Sequence, residues 1–295
     1  MKTKLYLITG ATGQTGKHAV DELLKDGNRV RAFVHSEDSR SEELRKKGVE
    51  IQVGDLHDFE TVRKSVEGVF GAYFVYPIKP GLIEATTYFV QAAKEAKLEF
   101  VVNMSQISAR REATSHAALN HWLAEQVFDW SGIPVCHIRP TFFAEWLLLP
   151  MIKDGYKKGL VEYGWSSGKH APIASEDQAR FIAKLLENPS PHVGKAYPLY
   201  GPKEYTAAEL FAELSRVLDL DVKYRTIPEN ELREKIASYF PPFLTQHLVE
   251  VVKDHTLGIF SGTDRIIKEV TGKAPMSVEE FIDTHRQAFS IREAA

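Results

Sequence analysis

Leu5-Tyr6-Leu7-Ile8-Thr9-Gly10-Ala11-Thr12-Gly13-Gln14-Thr15-Gly16 runs from an apolar stretch through three evenly spaced glycines into a helix-like segment beginning near Thr15. A strand, a glycine turn and a helix in that order make a dinucleotide site. The helix start offers unpaired backbone N–H groups and the positive end of a dipole, both suited to a pyrophosphate. Gly10 then permits the tight turn, Gly13 the close phosphate contact, and Gly16 close packing of helix on strand. The spacing is G-x-x-G-x-x-G, not the commoner G-x-G-x-x-G, and glycines alone also mark ordinary turns. The flanks therefore decide. With them, Gly10, Thr12, Gly13, Gln14, Thr15 and Gly16 are the expected cofactor-binding loop.

Moving outward, the helix carries apolar Ala19, Val20, Leu23 and Leu24 and ends at Asp26-Gly27-Asn28. Arg29 to Val34 reads as a second strand and Val49 to Val53 as a third, with a charged helix from Ser39 to Lys47 between them. The pattern continues with strands at Gly71 to Tyr76, Phe100 to Met104 and Val135 to Arg139. Helices at about Phe59 to Val66, Leu82 to Ala96 and Leu119 to Trp130 separate them. This alternation predicts an α/β fold, a doubly wound parallel sheet of the Rossmann type. Right-handed crossovers would bring Gly10, His35, Asp55, Tyr76, Ser105 and Arg139 to one sheet edge.

After Pro140 the rhythm changes. Residues 1–150 are expected to form the Rossmann core, and 151–295 a smaller, mainly helical substrate region that is not an independent domain. A helix near 175–187, with Ser175 as its cap, is expected to pack back on the core. Capping boxes at Thr206-Ala-Ala-Glu209 and Ser277-Val-Glu-Glu280 announce two later helices.

Composition limits the function. The 295 residues are 43% hydrophobic with a formal charge of −3, so nothing attracts nucleic acid or an anionic membrane. No apolar run approaches a membrane-spanning length. Cys136 is the single cysteine and lies in an apolar run, which fits a reduced, cytoplasmic setting and a core position. His116, His121 and His137 fall on different elements with no carboxylate or cysteine cluster, so no metal site is expected.

The end of the second strand is informative by an absence. An NAD-preferring site places Asp or Glu there for the ribose 2′-hydroxyl, whereas this chain has His35 and Ser36. With Arg31 and Arg40 in the same region, a 2′-phosphate is tolerated or favoured, and NADPH is expected over NADH. Arg40 serves equally well as a solvated helix residue. Asp55 and Leu56 are placed to contact the adenine, and Asp55 is also a natural turn cap.

At this point the chain resembles a family. Gly10 to Gly16, Gly54-Asp55-Leu56, Ser131-Gly-Ile-Pro134, Arg139-Pro-Thr-Phe-Phe-Ala-Glu145 and Thr271-Gly-Lys-Ala-Pro-Met-Ser-Val-Glu-Glu-Phe281 together look like the NmrA-like branch of atypical short-chain dehydrogenase/reductases. The resemblance covers nearly the whole chain. It implies a Rossmann fold with an NAD(P) site, in proteins that divide between reductases of quinones and triphenylmethane dyes and regulators that sense the dinucleotide. Short-chain dehydrogenases carry a Tyr-x-x-x-Lys pair on the helix after strand five; the matching positions here are Ala117 and His121. His121 is the candidate catalytic residue, as a hydrogen-bond donor to cofactor or substrate. It is equally placed to bond Glu125 one turn on.

Ser105, Gln106 and Tyr76 lie where related folds contact the nicotinamide end, and Asn103 within the strand needs a buried partner. Phe142, Phe143, Trp146 and Trp165 are candidate walls of a pocket for a small apolar or aromatic substrate, or else ordinary core. Two functions follow: an NAD(P)H-dependent oxidoreductase reducing a quinone-like molecule without the Tyr-Lys pair, or a non-catalytic NAD(P) sensor acting through a regulatory protein partner.

Overall fold

A computed structural model describes residues 3–289. The first half alternates β1 (Leu5–Thr9), α1 (Gln14–Lys25), β2 (Arg29–Val34), α2 (Ser39–Lys46), β3 (Glu50–Val53), α3 (Phe59–Ser65), β4 (Gly71–Phe74), α4 (Leu82–Glu95), β5 (Phe100–Met104), α5 (His116–Ser131) and β6 (Val135–Pro140). The second half holds α6 (Pro150–Lys158), β7 (Leu160–Tyr163), α7 (Ser175–Glu187), β8 (Ala196–Leu199), α8 (Ala207–Leu218), β9 (Lys223–Thr226), α9 (Glu229–Ala237), α10 (Pro242–Thr256), α11 (Ile266–Thr271) and α12 (Val278–Thr284).

The main sheet is parallel throughout, in the order β3-β2-β1-β4-β5-β6-β8. Its central strands β1, β4 and β5 are buried at every position, as expected of strands covered on both faces. Tyr6 and Ile8 face the side packed by α1 and α7, whereas Leu5 and Leu7 face the side of α3, α4 and α5. The order reverses between β1 and β4. There Thr9 Oγ1 accepts the Val75 N–H at 2.8 Å and donates to a backbone carbonyl, joining the two strands where their loops part. A crevice at such a switch point is where open α/β sheets bind ligands.

The second half crosses between layers more than once. Helix α7 packs on α1, and Lys184 and Glu187 tie it to Asp26 and Asn28 at 2.7 and 2.9 Å. The strand β8 extends the sheet beyond β6, and α11 packs on α7. The remaining helices and the small β7–β9 ribbon build a separate apolar core around Tyr163, Phe211, Phe281 and Phe289.

Three features of the second half have clear causes. Strand β8 is four residues long with Pro198 inside it, and Pro is tolerated because this is an edge strand. Helices α6 and α10 begin on Pro150 and Pro242, which sit in the first turn, where no N–H is required. Ser175 is the first residue of α7, not its cap. Its N–H donates to Glu145 Oε1 at 2.9 Å and its hydroxyl bonds the same oxygen, so the Arg139 to Glu145 motif caps this helix from a distance. The two capping boxes form as spaced.

Candidate functional site

The glycine loop is shaped by contacts that side chains would break. Gly10 has φ +57°, and a Cβ there would stand 2.8 Å from Val75 Cγ1. A Cβ on Gly16 would lie 2.2 Å from the Gly10 carbonyl oxygen, so only glycine lets α1 start this close to β1. The Gly13 N–H closes the turn onto the Gly10 carbonyl at 2.8 Å. Gln14, Thr15 and Gly16 then form the first turn of α1, whose N–H groups lack intrahelical partners. The Thr15 hydroxyl is not free for a phosphate. It bonds the Tyr73 hydroxyl at 2.8 Å inside the sheet, leaving Thr15 its backbone N–H for any anion.

At the next strand ends the expected residues divide. His35 and Asp55 are exposed and 3.8 Å apart, and the Asp55 carboxylate accepts the His57 N–H at 2.9 Å, which holds its pKa below the usual carboxylate range. Leu56 follows, half-buried. Arg40 pairs with Asp38, which also caps α2, and Glu37 pairs with Arg45, so both carboxylates that follow the tip of β2 are already engaged. Arg31 does not point to this edge. It binds Glu50 and the carbonyls of Ser65 and Glu67 at the opposite end of the sheet. Arg139 also leaves the cluster, turning to Glu125 of α5 in a two-bond ion pair, with Nε at 2.8 Å from Oε1.

Between the strand ends and the helical layer lies a cavity of about 460 Å³. Tyr76, Ser105, Gln106 and His121 line it from the sheet side, with Phe142, Phe143 and Trp146 beside them. Phe240, Leu244, His247 and Phe260 close it from the second half of the chain. Trp165 is not among these walls. It packs behind Phe142, at 5.1 Å between ring centroids, against Tyr163 and His170, because Phe142 takes the cavity side of that aromatic stack. Asn103 is elsewhere too, bonding His137 across β5 and β6 at 3.0 Å.

The polar groups of the cavity are few. The Tyr76 hydroxyl donates to the Pro80 carbonyl at 2.8 Å. Ser105 Oγ and Gln106 Nε2 are buried without a hydrogen-bond partner. Buried polar atoms are rarely left so. His121 is buried and, because Glu125 is taken by Arg139, does not bond one turn along its helix. Burial lowers its pKa to about 4. The glycine cradle before α1 and these orphaned atoms after β5 have the donor chemistry that an extended dinucleotide calls for.

Helix α10 is strapped across this site. Arg110 binds both carboxylate oxygens of Asp254 at 2.8 and 2.5 Å, and Thr114 donates to Glu250 at 2.6 Å. Sequence reasoning missed α10, although Leu244, Leu248, Val251 and His255 recur at helical spacing after Pro241-Pro242.

Four buried histidines make stability pH-dependent. Burial lowers His121 and His255 to about 4; His247 falls to about 3 through burial and then His121. His170, bonded to His255 at 3.1 Å, falls well below its ordinary value through burial and then His255. Unfolded imidazoles titrate near 6.5, so below that pH the unfolded state binds more protons than the folded one. Stability from this source is full above the unfolded value and is lost as pH falls toward the folded ones. Urea unfolding of His170→Phe between those limits should show a slope shallower by up to about 1.4 kcal/mol per pH unit. An unaltered slope would mean that the ring protonates equally in both states.

A parallel sheet with a glycine turn into α1 at its switch point defines a Rossmann-type protein of the dinucleotide-binding class. The chain belongs to the NmrA-like family, which matches residues 2–282. An NAD(P)H azoreductase from Xenophilus azovorans is 26% identical over 288 residues, covering 97% of this chain and 99% of that protein. A (4-alkanoyl-5-oxo-2,5-dihydrofuran-3-yl)methyl phosphate reductase from Streptomyces griseus is 24% identical over 291 residues, covering 97% and 99%. The crystal structure of an NADPH-dependent quinone oxidoreductase from Escherichia coli in complex with NADPH shares the fold, with TM-score 0.85, 22% identity and coverage of 95% and 99%. Among the described residues no helix is long and apolar enough to cross a membrane, and no three His, Cys, Asp or Glu side chains form a metal-binding group.

Proposed function

We propose that this chain is an NAD(P)H-dependent reductase of small, flat, conjugated molecules such as quinones or azo compounds, using NADPH in preference to NADH. The observation that carries this is the cavity of about 460 Å³, walled by aromatic side chains and ending on the orphaned Ser105 and Gln106 beside the glycine-cradled crevice. The related azoreductase and phosphate reductase favour reduction as the chemistry. NADPH bound along the crevice would supply the reducing equivalent.

The protein's own contribution is positioning and exclusion of water. Phe142, Phe143 and Trp146 hold an aromatic ring, and Ser105 and Gln106 orient the nicotinamide end. His121 stays neutral near pH 7, so it donates a hydrogen bond to the reacting acceptor, and the product's proton comes from solvent. This division suits Ala117 and His121 in place of a Tyr-Lys pair. The preference for NADPH rests on exposed His35 at the β2 tip and on Arg40 in the first turn of α2, which would exchange Asp38 for a 2′-phosphate.

Mixing the protein with NADPH and a panel of quinones and azo dyes should oxidise the cofactor, followed by its nicotinamide absorbance. Cofactor binding without oxidation by any acceptor would move the chain to the alternative, a dinucleotide sensor with a protein partner. His121→Phe is expected to lower kcat/KM by about tenfold while leaving NADPH affinity within about threefold. Unchanged kinetics would return His121 to a packing role.

A further inference from the structure

His247, on α10, lines the same cavity as His121 of α5, against which α10 packs. Its Nδ1 lies 2.8 Å from Ser115 Oγ, which is fully buried and caps α5 by accepting the Ala118 N–H at 3.1 Å. That arrangement selects a tautomer. The serine hydroxyl has one proton, and among the described residues His247 Nδ1 is the acceptor it reaches. Were Nδ1 protonated instead, the hydroxyl proton would be buried with nothing to receive it. Nδ1 therefore accepts, and Nε2 carries the hydrogen. Among the described residues no side chain or carbonyl takes that Nε2–H.

The cavity thus presents neutral donors: the Ser105 hydroxyl, the Gln106 amide, an N–H of His121 and the Nε2–H of His247. No Lys, Arg, Asp or Glu lines it. Lys79 sits outside, over the Tyr76 ring at 5.4 Å, and Arg110 is closed onto Asp254. An anion entering such a space loses its hydration without gaining a countercharge, whereas a carbonyl or azo group gains a donor.

We propose that His247, held as its Nε2–H tautomer by Ser115, is the specificity-determining donor that takes the acceptor atom of an uncharged planar substrate, and that the cavity rejects anionic analogues. This deepens the reductase assignment and rests on it for the substrate class. It also sets this chain apart from the phosphate reductase relative, whose named substrate is an anion.

The test is equilibrium binding of 1,4-naphthoquinone, read by quenching of tryptophan fluorescence in the protein loaded with tetrahydro-NADP, whose nicotinamide ring is uncharged and transfers no hydride, beside turnover with NADPH. For the wild type, Kd for 1,4-naphthoquinone should be at least about tenfold lower than for 1,4-naphthoquinone-2-sulfonate. His247→Phe should raise the naphthoquinone Kd about tenfold, and His247→Gln, which keeps an N–H donor, should raise it less than about threefold. NADP⁺ affinity should not move in either variant. Equal wild-type affinity for the two quinones, no measurable naphthoquinone binding, or an unchanged Kd in His247→Phe overturns the proposal. Should His247→Phe fail to fold, the wild-type selectivity and the Gln variant still decide. Binding that needs His247 without NADPH oxidation keeps the contact and removes the reductase assignment; NADPH oxidation with an indifferent His247 does the reverse.

Discussion

Gly13→Asp is expected to weaken NADPH binding by about a hundredfold or more while leaving the fold as stable as before, or slightly more so. The two effects have opposite signs because Gly13 is the N-cap of α1. Its φ of −84° suits any residue, and α1 has no side-chain cap. Aspartate is among the best N-caps, so its carboxylate would bond the first-turn N–H groups and stabilise the helix by up to about 1 kcal/mol. Those are the groups a pyrophosphate needs, and the added charge repels it. A Cβ at Gly13 would lie 3.1 Å from the Gly10 carbonyl oxygen, which asks for a small adjustment only. Calorimetric titration with NADPH, beside thermal melting, reads both effects; wild-type affinity in the variant would remove the phosphate site from this loop.

The second large effect is on stability. Arg139→Ala should lower the free energy of unfolding by about 3–5 kcal/mol, because it strands the Glu125 carboxylate inside α5 without its partner. Glu125 is 1% exposed, and the Arg139 side chain is what covers it, so its carboxylate is desolvated with no other charged partner among the described residues. Exchanging both residues for apolar ones of similar size, Glu125→Leu with Arg139→Met, should recover most of the loss, since the pair spends its attraction on its own desolvation. Denaturant midpoints of the single and double variants measure this. A single variant as stable as the parent would show that the charge escapes to solvent. The pair also frees His121, since Glu125 would otherwise bond it one turn away.

How much of this was legible in the sequence depends on the range of the interaction. The glycine loop, the first six strands and the boxes at Thr206 and Ser277 are local patterns, and they form where their spacing predicts. Arg31 reaches the opposite end of the sheet, since a strand residue's proximity in sequence to the β2 tip says nothing of which end its long side chain reaches. For Trp165 the sequence leaves pocket wall and core open, because an aromatic residue reads alike whether it faces a cavity or backs the residue that does. His247 left no sequence signal of function. It became visible only when α10 placed it in the cavity that His121 lines and against Ser115, more than a hundred residues away in the chain.

By itself, then, the sequence determined the class: a strand, three glycines and a helix, repeated strand-helix alternation, and His35-Ser36 in place of a carboxylate at the β2 tip. Those are short-range constraints of backbone geometry and periodicity. The tertiary structure decided what stands at the end of the crevice. Which polar atoms are left without partners, and which histidine nitrogen keeps its hydrogen, depend on contacts between distant segments, and desolvation is set only when those segments close over one another.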